Sequence, residues 1–353
     1  MIYRILVSAY TDFISTLTFD PATSALEVAS IVSVGQNPSW ITFHPTNGDH
    51  SLVWTGLERA EGKILALKYD ADGQGKIVAE APSEGDDPCS LFATEDQLII
   101  ANYSSGSLTF LPISPEPPYL ILSPITIQLS GSGPNKNRQE GSHPHQAMIH
   151  PEYQELFVPD LGADRVCRFK RRGDGSWKIH GHIGYASGGG PRHVAFYDGH
   201  LFTVLELSNK LVRHRLPPLP ALPTLVASTP TMSQPLPPDN DMIAAEILIP
   251  VPNPSFPTPY LYLSNRNDPS PEGDIISIFA IENPDTLELV AEVRTGMTHV
   301  RAMQFGGPDD KYLIAGGTNG GGVKVFERVN LGKGLKEVAA NISVKAPTAF
   351  LWF

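Results

Sequence analysis

Two kinds of position in this chain carry an unusual density of ionisable side chains. Ser39, Cys89, His145, Arg192, Arg301 and Thr348 each stand one residue inside a short apolar segment, while Glu58, Asn102, Asp160, Glu206, the pair Asn265-Arg266 and Thr318 close the apolar segment that follows. Imidazole and carboxylate groups move protons near neutral pH, and guanidinium groups grip carboxylates or phosphates through paired hydrogen bonds. Charge at a buried strand end is costly unless it is paired or used. A His, several Arg and several carboxylates drawn to one place make a polar pocket suited to acid/base chemistry on a small anion.

The elements that must bring them together are visible as a repeat. Pro38-Ser-Trp-Ile-Thr-Phe, Pro88-Cys-Ser-Leu-Phe-Ala, Pro144-His-Gln-Ala-Met-Ile, Pro191-Arg-His-Val-Ala-Phe, Val300-Arg-Ala-Met-Gln-Phe and Pro347-Thr-Ala-Phe-Leu-Trp each read as a short opening strand. The first five are followed after a turn by a second apolar run, such as Leu98-Ile-Ile-Ala or Leu201-Phe-Thr-Val, and then by a third run that alternates in period two. The first four opening prolines are spaced by 50, 56 and 47 residues. That is the size of one propeller blade, a small antiparallel sheet. A further unit lies between Ala244 and Ala280, which makes seven.

The expected fold is therefore all-β, a single seven-bladed β-propeller over residues 1–353. Pro347 to Phe353 supply an opening strand with nothing after it, while Ile5-Leu-Val-Ser-Ala and Ser15-Thr-Leu-Thr-Phe supply second and third strands with nothing before them. One shared blade closes the ring and pairs its edges. The segment from about 216 to 240, with eight prolines, is expected to be an exposed insertion with polyproline-like character. In a propeller the first strand of each blade lines the central channel and the second runs antiparallel to it. The two sets of rim positions then meet over one mouth of the channel.

Composition excludes several classes. With 26 Lys+Arg against 37 Asp+Glu, a net charge of −11 and no basic run longer than Lys170-Arg171-Arg172, the chain is a poor partner for nucleic acid or an anionic membrane. No stretch approaches the ~20 apolar residues of a membrane helix, and Met1 to Tyr10 has too short an apolar run and no cationic lead for a signal peptide. Two cysteines, Cys89 and Cys167, in 353 residues read as core thiols in a reducing compartment, so a cytoplasmic location is expected. Gly316 to Gly322 joins two strands and lacks a Lys-Ser/Thr ending, which makes it a hairpin turn rather than a phosphate loop. The eleven histidines show no metal-ligand spacing and there is no Gly-x-Ser-x-Gly elbow. Neither a metal, a cofactor nor a covalent nucleophile is expected.

Ser142-His-Pro-His-Gln with Val158-Pro-Asp-Leu-Gly-Ala-Asp-Arg-Val166, Gly190-Pro-Arg-His-Val-Ala-Phe196 with Leu205-Glu-Leu207, and Tyr262-Leu-Ser-Asn-Arg266 together resemble the seven-bladed propeller lactonases. That family includes 3-carboxy-cis,cis-muconate cyclases and bacterial 6-phosphogluconolactonases. The resemblance spans essentially the whole chain and implies a metal-free active site at His145, Arg192, Glu206 and Arg266, the same residues that the repeat places at the rim. His145 and Glu206 are expected to transfer protons, with Arg192, Arg266, His193 and Arg301 binding substrate. Arg301 and Asp160 also have a purely structural reading, and so does Glu206, as an ion-pair partner of Arg192 or Arg266. The expected activity is a carboxymuconate-type lactonizing cycloisomerase on a small anionic substrate, since the rim offers arginines for several carboxylates. The alternatives are a lactone hydrolase of the 6-phosphogluconolactonase type and a non-catalytic propeller that binds other proteins.

Overall fold

The computed structural model describes residues 1–45, 50–237 and 240–353. Alternating apolar residues and frequent turns produce seven four-stranded antiparallel sheets set in a ring. Counted from the first proline opening, the innermost strands are Pro38–Phe43, Pro88–Ala93, Met148–Ile149, Pro191–Tyr197, Ile243–Leu248, Thr298–Gly306 and Pro347–Trp352. The seventh blade joins Pro347–Trp352 to Tyr3–Ala9, Phe13–Asp20 and Ala25–Ser33, so both ends of the sequence share one sheet. No helix among the described residues is long and apolar enough to cross a membrane. Gly316 to Gly322 forms a hairpin whose glycines at 321 and 322 take φ of +86° and +67°, backbone that a side chain disfavours.

The core sits between blades. Seven apolar clusters fill the seven blade-to-blade interfaces, as with Leu52, Trp54 and Ile64 against Leu98, Ile100 and Leu111, or Ile5, Leu17 and Phe19 against Ile314, Val323 and Val325. Each blade is therefore supported on both flanks, and the ring holds only if it closes. Phe350 packs into the interface with the sixth blade, and Ala349 and Leu351 into that with the first. Deleting residues 347–353 strips pairing from Tyr3–Ala9 and opens both interfaces. Burying Phe350 alone is worth about 1.5–3 kcal/mol, against a typical total of roughly 5–15. The truncated chain is expected to lose its cooperative melting transition in calorimetry; retention of the full-length transition would refute this account of closure.

A bulge in the innermost strand decides which side chains reach the channel mouth. Pro191 pairs with Leu205 but His193 with Val204, which leaves Arg192 as an extra residue. Ser39, Cys89, Arg301 and Thr348 are extra in the same way, and His145 follows an isolated bridge between Pro144 and Asp160, before the regular pairing resumes at Met148. In the fifth blade Ala245 and Glu246 together face Ser264. Bulges bend a strand and re-aim its side chains. Here they produce an upper tier of extra residues at the mouth and, one step along each strand, a second tier that includes Trp40, Gln146, His193 and Glu246.

The proline-rich segment departs from its expected form. Thr224–Pro230 is the outermost strand of the fourth blade, paired with Lys210–Arg215. Its interior, Leu225-Val-Ala-Ser-Thr, is free of proline, and the prolines that suggested an insertion flank it. An edge strand tolerates proline at its ends because one side of its ladder is unpaired. Residues 238 and 239 of the expected insertion lie outside the described residues.

Candidate active site

The mouth positions converge on one carboxylate. Glu206 follows the second strand of the fourth blade, and its backbone is held by donation from its N–H to the Gly190 carbonyl at 2.7 Å. Arg192 comes from the bulge beside it and Arg266 from the end of the fifth blade's second strand, Tyr260–Arg266. Glu206 Oε2 lies 2.8 Å from Arg192 Nε and 2.7 Å from Arg266 Nη2. Its Oε1 accepts a hydrogen bond from Arg138, in the loop before the third blade. Arg192 Nη1 donates to the Ala245 carbonyl at 3.0 Å and Arg266 Nη2 to the Ala244 carbonyl at 2.9 Å. Blades three, four and five are thus tied together at the mouth.

Burial by itself would raise the Glu206 pKa, but Arg266, Arg192 and Arg138 overcome it and hold the carboxyl far below the usual range. Burial, with Arg266 and Arg301 nearby, pushes the Arg192 guanidinium down to about 9, still charged at neutral pH. Arg301 is stabilised in the opposite sense: burial works against its charge, but Tyr10 and Glu58 outweigh that. It lies 3.4 Å from Glu58 Oε2 and over the Tyr10 ring, and Tyr10 donates to Glu58 Oε1 at 2.8 Å. Four guanidiniums therefore face three carboxylates, Glu206, Glu58 and Glu246, and the surplus of positive charge suits an anionic ligand.

Three histidines face this cluster. His145 Nδ1 is 3.2 Å from His193 Nε2, and His193 Nδ1 is 2.8 Å from Glu246 Oε1. Burial, reinforced by Arg192, keeps His145 well below its ordinary pKa, and His193 is lowered by burial as well. His145 is neutral at pH 7, and its Nε2 has no hydrogen-bond partner among the described residues. His299 Nε2 approaches Arg266 Nη1 at 3.4 Å and its Nδ1 donates to Asn267 Oδ1 at 2.7 Å; burial, Arg266 and Arg301 lower its pKa to about 3.

All six site residues read from the sequence, His145, Arg192, His193, Glu206, Arg266 and Arg301, meet at this mouth. Their exposures differ: Arg192, His193 and Glu206 are 1% exposed as residues, whereas the Arg138 side chain keeps 36%. Both oxygens of Glu206 are occupied by guanidiniums, so its contact is with arginines rather than with a proton-bearing partner. Asp160 accepts from the Ser142 hydroxyl and the His143 N–H and pairs with Arg165, which makes it a turn anchor. His143 stacks on Tyr103 and reaches Glu140, and makes no direct contact with Glu206. Cys89 and Cys167 are buried free thiols whose pKa burial raises.

Sequence reasoning missed Arg138, His299 and Glu246. Arg138 belongs to a loop that the repeat does not cover, and His299 sits one residue before the Val300 opening. Glu246 lacks a proline opening, yet aligning Ala244-Ala-Glu with Pro191-Arg-His sets it beside His193. A cavity of about 210 Å³ runs down the ring axis below the mouth, with Trp40, Gln146, Glu246, Ala302 and Ala349 among its walls. A larger one, about 540 Å³ and lined by Arg59, Glu61 and Glu84, lies off the axis at the first blade. Among the described residues no three or more His, Cys, Asp or Glu side chains are grouped to hold a metal ion.

Comparison with known proteins bears on this arrangement. The sequence is 25% identical over 362 residues to a protein of Arthroderma benhamiae named "Probable 6-phosphogluconolactonase", covering 98% of this chain and 88% of that one. It is 26% identical over 340 residues to the 6-phosphogluconolactonase of Formosa agariphila, covering 93% and 90%. The structure matches a periplasmic gluconolactonase of Pseudomonas aeruginosa with a TM-score of 0.83 over 100% of this chain and 99% of that one, at 20% identity, a likeness of fold. Residues 4–352 match the family model described as "Lactonase, 7-bladed beta-propeller". The chain belongs to the seven-bladed β-propeller lactonase family.

Proposed function

We propose that the protein is a lactone hydrolase that opens a small anionic sugar lactone of the 6-phosphogluconolactone class. The observation that carries this reading is the neutral His145, with Nε2 free of protein partners, beside a cluster of guanidiniums. The names of the curated relatives support ring opening.

The expectation of a carboxymuconate-type cyclase gives way for a chemical reason as well. Ring closure onto an alkene needs an acid to protonate the neighbouring carbon. Glu206 is ionised with both oxygens engaged, and burial keeps His145 in its neutral, weakly acidic form. The site offers a base and cations. A protein-binding scaffold is disfavoured because the ionisable mouth residues are not repeated from blade to blade.

Ring opening then follows from this chain's residues. His145 Nε2 takes a proton from water as the oxygen attacks the lactone carbonyl carbon, and the guanidiniums stabilise the oxyanion. As the ring C–O bond breaks, His145 returns the proton to the departing alkoxide. The product is the open hydroxy acid, and the histidine is neutral again. Glu206 takes no proton; it holds Arg192 and Arg266 in place.

Arg138 is the most exposed guanidinium bound to Glu206 and is suited to meet a substrate phosphate at the mouth. A charge-assisted hydrogen bond is worth about 1.5–3 kcal/mol, roughly ten- to a hundredfold in binding. Arg138→Ala is expected to raise KM for 6-phosphogluconolactone by about that factor and much less for gluconolactone. Equal losses on the two substrates would remove Arg138 from phosphate recognition. The reading as a whole is tested by base uptake with both lactones and by diene absorbance with 3-carboxy-cis,cis-muconate. Diene loss without lactone hydrolysis would overturn it.

A further inference from the structure

We propose that Glu246 is a positioning residue that sets the protonation pattern of His193 and, through it, of His145, leaving the catalytic nitrogen bare. The inference rests on the hydrolase reading for its kinetic consequence but not for its structural one.

The bulge in the fifth blade is what places Glu246. Ala245 and Glu246 stand together opposite Ser264, and the Glu246 N–H donates to the Ser264 hydroxyl at 3.0 Å. This extra residue frees the Ala245 carbonyl to receive Arg192 and turns the Glu246 side chain toward the fourth blade. Glu246 Oε1 also accepts the Ile247 N–H at 3.0 Å, so that oxygen already acts as an acceptor.

The chain of donors then has one consistent solution, read from the hydrogen-bond network. Since Oε1 accepts, His193 Nδ1 carries a hydrogen and donates it to Glu246. His193 Nε2 is then a lone pair. Arg192 Nη1, 3.2 Å from that nitrogen but also 3.5 Å from Nδ1, does not distinguish the two and leaves the assignment of Nε2 as the lone pair to Glu246. His145 Nδ1, 3.2 Å away, must therefore carry a hydrogen, and Nε2 of His145 is left bare. Without Glu246, His193 is free to protonate at Nε2 and donate to His145 Nδ1, which moves the His145 proton onto Nε2 and blocks the base. The Trp40 ring, edge-on at 5.9 Å, packs on His193, and its indole N–H is given to the Leu91 carbonyl, so it offers His193 no competing partner.

The test uses the full-length protein with 15N-labelled histidine. In the wild type, NMR should show His145 protonated at Nδ1 and bare at Nε2. Glu246→Met should move the proton toward Nε2 and lower kcat on the order of a hundredfold with KM within about threefold, the low end of what a general base contributes. Glu246→Gln keeps a carbonyl acceptor and should restore the tautomer and most of kcat. The inference is overturned if wild-type His145 is protonated at Nε2, or if Glu246→Met leaves both tautomer and kcat unchanged. A tautomer that responds to Glu246 in a protein inactive on lactones would support the positioning role and overturn the proposed reaction instead.

Discussion

Glu206→Gln is expected to abolish turnover of lactones and to cost about 3–5 kcal/mol of stability. Three guanidiniums converge on this carboxylate, and two of their side chains are almost wholly buried, so an amide leaves charge without a counterion. Arg192 already holds its proton less firmly than a free arginine because it is buried and because Arg266 and Arg301 repel it. Taking away the Glu206 charge sharpens that repulsion and pushes the arginines apart, which also undoes the link between the third, fourth and fifth blades. The buried pairs that Arg192 and Arg266 make with backbone carbonyls are too few to replace it. Urea unfolding measures the stability term, and steady-state assay of the fraction that remains folded measures the other. Wild-type stability in Glu206→Gln would show that the carboxylate does not hold the cluster.

The same cluster shows how far the sequence is legible. A repeat that opens with proline placed Cys89, His145, Arg192 and Thr348 at equivalent positions, and the structure gives the reason: each falls at the irregular start of an innermost strand. Repetition makes such a site readable, because the backbone that aims one residue is present several times over. Arg138 has no counterpart in other blades and reaches Glu206 only through the path of its loop. Glu246 belongs to the one blade whose opening lacks both proline and a polar extra residue, so the alignment that would have found it had the least to align. The number of prolines misled at Thr224–Pro230, where their position at the strand ends was the informative fact.

Two tiers of side chains divide the work at the mouth. The upper one carries His145, Arg192 and Arg301 at the mouth, and the second supports it through His193 and Glu246. One bulge per blade generates both, so the arginine and the histidine in Arg192-His193 are adjacent in sequence yet act at different depths. This explains why a buried ionisable pair stands at the start of this strand while the strand beyond it, Val194-Ala-Phe, is ordinary core or channel wall.

His145→Ala is expected to lower kcat by about 10²–10⁴ while 6-phosphogluconolactone still binds, since the variant removes the base and leaves every arginine in place. The pH profile separates this role from a structural one. A base works only when bare, so activity is present above its folded pKa and is lost as pH falls through it. Burial and Arg192 set that value well below 6.5, and the acid limb of kcat/KM should fall well below the pH at which free imidazole titrates. Stability follows the same linkage: below about 6.5 the unfolded chain takes up a proton that buried His145 refuses, so the folded state loses ground as pH drops toward the folded pKa. His145→Ala should therefore lose less stability than the wild type between pH 6.5 and mild acid. Equal acid sensitivity in the two proteins would mean that folded His145 takes up its proton as free imidazole does, which would overturn the lowered pKa and with it the displaced acid limb.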